Sequence, residues 1–196
     1  SLQQSYYKKK LAWIIYQKKI IDNADFLHAT SDIEKNNLTN LGIRKPIKVI
    51  GHGIKIYENS IKKQENIVKK AIFFSRIHKK KGLLELVKCW SKLDPDGWEL
   101  NIYGPVSDKK YFSLVRQEIE KKKIKIPIKL HNPIYDFENK KNICLSSNLF
   151  ILPSQSENFG MSILEALSIG IPVITTSSTP WNLSLIHISE PTRHHV

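Results

Sequence analysis

From residue 70 onward, five apolar runs, KAIFFSRI, WELNIYG, PIKLHNPI, LFILPS and PVITT, alternate with four segments of helical periodicity. The intervening segments are KGLLELVKCWSKL, DKKYFSLVRQEIEKKK, DFENKKNICLSS and FGMSILEALSIG. In KGLLELVKCWSKL, Leu83, Leu86, Val87 and Trp90 recur at the spacing that puts them on one helix face. Alternation of this kind, with apolar strands and amphipathic helices between them, predicts a parallel sheet covered on both faces. The expected fold class is therefore α/β, a Rossmann-like doubly wound parallel sheet. Ligands of such sheets gather beyond the strand carboxyl ends, so the loops after Phe74, Ile102, Leu130 and Leu152 are where function is sought.

Upstream, residues 5–23 carry Tyr7, Leu11, Ile14, Ile15 and Ile21 between lysines, predicting a helix with one packed face. DFLHAT and IKVIGHGI read as strands flanking a helix that Ser31 caps, with Glu34 three residues on and Gly42 at its end. Residues 55–70 are polar and lysine-rich and read as a linker. The expected domains are 1–54, a linker at 55–70, a main domain at 71–182 and a tail at 183–196.

The chain has 196 residues, 41% hydrophobic and 25% charged, a soluble composition with no apolar run of membrane-spanning length. Its net charge of +13 implies an anionic partner: a phosphorylated small molecule, an anionic membrane face or nucleic acid. The lysine clusters lack interleaved aromatics, which disfavours a stacking platform for single-stranded nucleic acid. Cys89 and Cys144 read as reduced thiols of a cytoplasmic chain. The Asp94/Asp96 pair falls in a helix-to-strand turn, and His28, His78 and His131 show no ligand spacing, so no metal site is expected.

Two loops carry chemistry. After LFILPS, Glu157 lies beyond the strand and Asn158 to Ser162 open a helix whose first amides suit an anion, with Gly160 allowing close approach and a hydroxyl on Ser162. Glu165 follows among Leu164, Ala166 and Leu167, where a carboxylate needs a partner. Glu157 as a first-turn acid and Glu165 as a solvated helix residue are the purely structural alternatives. After AIFFS, Arg76 offers a bidentate fork and Lys81 a point charge beside Gly82, although nothing local says which of Lys79, Lys80 and Lys81 points inward.

FFSRIHKKKGLLELVKCWSKL, WELNIYG, LFILPSQSENFGMSILEALSIGIPVITT and STPW, in this order and spacing, resemble the C-terminal domain of family 4 glycosyltransferases of the GT-B fold. The resemblance covers residues 24–182 and includes the E-x7-E of Glu157 and Glu165. It implies retaining transfer of a sugar from a nucleotide-sugar donor to a glycan or lipid-linked acceptor, as in surface polysaccharide synthesis. The positions matching Arg76 and Lys81 bind the donor diphosphate, Glu165 the ribose and Glu157 the donor sugar. Amides of Phe159, Gly160, Met161 and Ser162 lie over sugar and phosphates, and Pro133 and Ile134 pack on the base. No cofactor and no metal are implied.

His52 stands where the family commonly has the Asn of a Pro-Asn-Gly turn. The resemblance also implies that residues 1–54 hold only the last elements of an acceptor-binding N-terminal domain, leaving the chain inactive alone, short of closing helices and with apolar surface exposed. LSLIHISEPTR at 183–193 resembles a translated sequencing adapter, and no function is expected of it. A sugar phosphorylase or a sucrose- or trehalose-type synthase of the same fold, and a basic membrane- or nucleic-acid-binding module, are the alternatives.

Overall fold

The computed structural model describes residues 13–54, 68–93, 96–121 and 127–181. The linker expected at 55–70 lies mostly outside these residues, as do Asp94, the first twelve residues and the adapter-like tail. The chain divides into two compact units, residues 1–52 and 53–196.

In the first unit, a π-helical turn at Trp13–Gln17 runs into α1 (Lys18–Asn23), followed by β1 (Leu27–Ala29), α2 (Asp32–Asn40) and β2 (Ile47–Val49). β1 and β2 are parallel neighbours with Leu27 opposite Ile47, and α2 is their crossover. The Ser31 hydroxyl caps α2 by accepting from the Glu34 amide at 3.2 Å, and the Glu34 carboxylate accepts from the Thr30 amide and hydroxyl. These hydrogen bonds, led by the Thr30 hydroxyl, hold the Glu34 pKa below its ordinary value. The packed face expected of the first helix is not found within the described residues. Of the residues expected on it, Ile15 is 63% exposed and Ile21 half-buried, and nothing in α1 is fully buried.

The second unit is a five-stranded parallel sheet in the order β5-β4-β3-β6-β7, made of β3 (Lys69–Phe74), β4 (Trp98–Tyr103), β5 (Ile128–Leu130), β6 (Leu149–Leu152) and β7 (Val173–Thr175). Four helices alternate with them: α3 (Leu83–Trp90), α4 (Lys109–Ile119), α5 (Phe137–Leu145) and α6 (Met161–Ser168). The core gathers on β3, β4 and β6, where Phe73, Leu100, Ile102, Phe150 and Leu152 are fully buried. α3 buries Leu83, Leu86, Val87 and Trp90, the stripe its spacing predicts. Each such side chain contributes about 1.5–3 kcal/mol by leaving water. Asp108 and Asp136 cap α4 and α5 by accepting from the Tyr111 and Asn139 amides.

This sheet order matters for function. From β3 the chain steps outward to β4 and β5, then returns to place β6 and β7 on the other side. The direction reverses between β3 and β6, and the two loops singled out in the sequence leave those two strands. A crevice at such a switch point is where doubly wound sheets bind ligands.

Candidate functional site

The cleft at the switch point is built by three approaches of backbone. β3 ends at Phe74 and delivers Ser75 and Arg76; β4 ends at Tyr103 and delivers Gly104 and Pro105; β6 delivers the loop from Pro153 to Gly160. A 3-10 turn at Lys79–Lys81 then ends at Gly82, whose φ of +68° turns the chain into α3. The Lys80 carbonyl of this turn accepts from the Gln155 amide at 2.8 Å, and the buried Ser154 hydroxyl lies 3.0 Å from the same oxygen. The two loops are thereby locked together, and Thr176 donates from the other side to the Ser154 carbonyl.

That lock decides which of the three lysines faces inward. Lys81 Nζ lies 2.5 Å from Glu157 Oε1, with side chains only 12% and 10% exposed. Lys79 and Lys80 are exposed. Glu157 is therefore a loop carboxylate paired across the crevice, three residues before the helix cap. A charge so removed from water needs such a partner.

The helix begins later than the sequence suggests. α6 starts at Met161, with Gly160 at φ +78° as its cap, so Asn158 and Phe159 belong to the preceding turn. Trp181 fixes this turn: its indole N–H donates to the Phe159 carbonyl at 2.5 Å, and its ring meets Phe159 edge-on at 5.2 Å. A Cβ on Gly160 would sit 3.2 Å from both the Ile163 side chain and the Trp181 indole nitrogen.

The cleft has a volume of about 300 Å³, and Arg76, Lys81, Glu157, Gly160, Met161 and Ser162 all line it. Arg76 is exposed there, and among the described residues its guanidinium is in no salt bridge. Glu165 faces a narrow adjoining pocket rather than the cleft itself. Lys140 of α5 belongs to both pockets, and its ammonium pairs with the Glu165 carboxylate. Cys144, in the same narrow pocket, is a buried thiol whose pKa burial pushes up to about 11, so it stays protonated and unreactive. Both cysteines are free; Cys144 is buried, whereas Cys89, placed by the sequence in a buried helix, is exposed.

Phe159, Pro133 and Ile134 do not line the cleft. Phe159 meets Trp181, Ile134 packs on the core, and Pro133 is exposed in the loop after β5. Next to that loop, Phe74, Tyr103 and His131 form a lateral stack along the strand ends, with centroid distances of 5.3 and 4.3 Å. Lys140 Nζ lies 5.0 Å from the Phe74 centroid. No group of His, Cys, Asp or Glu suited to a metal occurs among the described residues. Sequence reasoning missed Lys140. The one signal was the need of Glu165 for a partner, which named no residue.

Residues 57–188 match the family described as Glycosyl transferases group 1. The chain belongs to this family. Group 1 relatives include the O-antigen biosynthesis glycosyltransferase WclY of Escherichia coli, 42% identical over 52 residues, covering 25% of this chain and 15% of that protein. The poly(glycerol-phosphate) alpha-glucosyltransferase of Bacillus subtilis (strain 168) is 34% identical over 113 residues, covering 54% of this chain and 15% of that protein. The match thus spans a small part of either relative. Among solved structures, Anabaena HepE in complex with UDP and glucose superposes with a TM-score of 0.70 at 19% identity, covering 86% of this chain and 47% of that one. At that identity the likeness speaks for the fold, which is the Rossmann-like α/β fold of GT-B glycosyltransferases.

Proposed function

We propose that the cleft is the donor site of a retaining glycosyltransferase that uses a nucleotide sugar. The observation that carries this reading is the convergence of Arg76, Lys81, Glu157 and the start of α6 on one crevice at the switch point. Arg76, exposed and in no salt bridge among the described residues, takes the diphosphate with Lys81, while the amides opening α6 add fixed positive dipole. Glu157, held by Lys81, orients the donor sugar. Glu165 accepts hydrogen bonds from the ribose hydroxyls, and Pro133 and Ile134 pack on the base.

In the reaction, the bond from the anomeric carbon to the diphosphate oxygen breaks as the acceptor hydroxyl oxygen bonds to that carbon on the same face. The acceptor proton passes to the departing phosphate oxygen. The cations and amides stabilise the charge building on the leaving group, a contribution of the oxyanion-hole type. No enzymic nucleophile and no metal is required. The relatives' names favour surface polysaccharide synthesis, and a glycan or lipid-linked acceptor and a cytoplasmic site of action complete the proposal. The charge of +13 favours peripheral contact with an anionic membrane face. Among the described residues no helix is long and apolar enough to cross a membrane. This chain alone binds the donor without transferring its sugar.

Titration of UDP, ADP and GDP into the wild-type chain, Arg76→Ala and Glu165→Ala tests the assignment, with and without EDTA. One nucleotide is expected to bind, EDTA to change nothing, and each substitution to weaken binding about tenfold to hundredfold, the worth of a charged hydrogen bond. Equal binding by all three proteins would sink the site.

A further inference from the structure

Lys140 is the cleft cation that belongs to no recognised motif. It sits in the first turn of α5, pairs with Glu165 on α6 from 25 residues away in sequence, and lies over the Phe74 ring at the end of β3. With 22% of its side chain exposed, and 20% of Glu165, the pair is neither a surface contact nor sealed from solvent. Its second environment is the open cleft, where it lines the wall with Arg76 and Lys81.

We propose that Lys140 is a positioning residue of the nucleotide subsite, holding Glu165 aimed so that its remaining acceptor capacity meets the ribose hydroxyls. This rests on the donor-site reading above.

Three features support it. First, a carboxylate has about four acceptor positions and Lys140 occupies one at Oε2, leaving Oε1 for a diol. Second, the pocket that Glu165 faces is lined by Ile54, Cys144 and Ile169 beside Lys140, Lys141 and Ser168, and it is the Lys140 ammonium that donates to the Glu165 carboxylate. Third, Arg76, Lys81 and Lys140 line the cleft with a single carboxylate, Glu157, so its wall carries net positive charge for an incoming diphosphate. Removing Lys140 lowers that charge. The Phe74 ring restricts the flexible lysine stem, which lowers the entropy cost of holding the pair.

A mere staple between α5 and α6 would affect stability and leave ligand discrimination untouched, so discrimination is the readout. UDP, ADP and GDP are titrated calorimetrically into the full chain to find the ligand that binds. That nucleotide and its 2′-deoxy counterpart are then titrated into wild type, Lys140→Met, Lys140→Arg and Glu165→Gln. Thermal melts confirm that each variant is folded. Wild type is expected to prefer the ribonucleotide about tenfold. Lys140→Met should bind it at least tenfold more weakly and lose the ribose preference, as Glu165→Gln does, while Lys140→Arg restores most of both.

An unchanged ribose preference in Lys140→Met overturns the proposal, whether or not overall affinity falls. If wild type binds none of the three nucleotides, the donor-site reading fails and takes this one with it. If wild type binds but shows no ribose preference, the assignment of Glu165 to the ribose fails together with the role of Lys140.

Discussion

Gly82 joins the 3-10 turn at Lys79–Lys81 to α3 where two loops are in backbone contact. At φ +68°, an ideal Cβ on it would lie 2.1 Å from the Pro153 carbonyl oxygen. A side chain there meets both left-handed strain and a clash with an atom that cannot rotate away. Gly82→Ala is therefore expected to cost about 2–4 kcal/mol. At roughly 2–4 °C per kcal/mol for a chain of this size, the melting temperature should fall by about 5–15 °C. The clash also pushes the 3-10 turn from the loop after β6, so Lys81 and Glu157 separate and nucleotide binding weakens further than stability alone explains. Melting and titration of this one variant measure both effects, and an unchanged melting temperature would refute the packing argument. The glycine was legible beside Lys81, but its reason was not, since Pro153 is 71 residues away in sequence.

Across β4 and β5 runs a polar ladder that responds to acid. The Glu99 carboxylate accepts from Lys129 Nζ at 2.5 Å and from Asn101 Nδ2 at 2.9 Å, and His131 Nε2 lies 2.6 Å from Asn101 Oδ1. Burial pushes the Glu99 pKa up, but the hydrogen bonds from Lys129 and Asn101 outweigh it and hold it below the ordinary 4.5. Burial, aided by Lys129, holds His131 below its ordinary 6.5, so the ring is neutral and its Nε2–H donates to Asn101. For both groups the unfolded chain binds protons more readily, and both contributions are complete above the unfolded pKa and lost as pH falls. Stability should decline in two stages, below about 6.5 and again below about 4.5. His131→Gln should remove the first stage and Glu99→Gln the second; denaturant midpoints across pH read both, and an unchanged profile in either variant would count against its assigned group. The strands themselves were legible, because apolar runs between helical patterns leave few alternatives. The ladder was not, because Glu99, Lys129 and His131 meet only once the register of β4 on β5 is set. The same limit hid Lys140, which α5 carries in a polar stretch that reads as solvated, until α6 is laid beside it.

At the scale of the molecule, the cleft described above lies wholly within the second unit, and the chain covers 47% of the length of HepE. Under the proposed mechanism, binding and transfer are therefore separable here: the diphosphate is held by the loops after β3 and β6, while the acceptor hydroxyl must be brought by surface beyond this cleft. A nucleoside diphosphate at a hundred times its Kd should stabilise the second unit by about 2.7 kcal/mol, since it binds the folded form only. Hydrogen exchange should slow in the loops after β3 and β6 and at the start of α6, and remain unchanged in β1, α2 and β2. The matching nucleotide sugar, incubated with the chain and a glycan or lipid-linked acceptor, should release no nucleoside diphosphate. Transfer by this chain would overturn the separation, and protection spread into β1 and β2 would place part of the binding free energy in the first unit. Protection confined to the second unit without turnover is the outcome that follows from electrostatics alone, because a cleft that stabilises a leaving group has nothing to accelerate until an attacking oxygen is held within reach of the anomeric carbon.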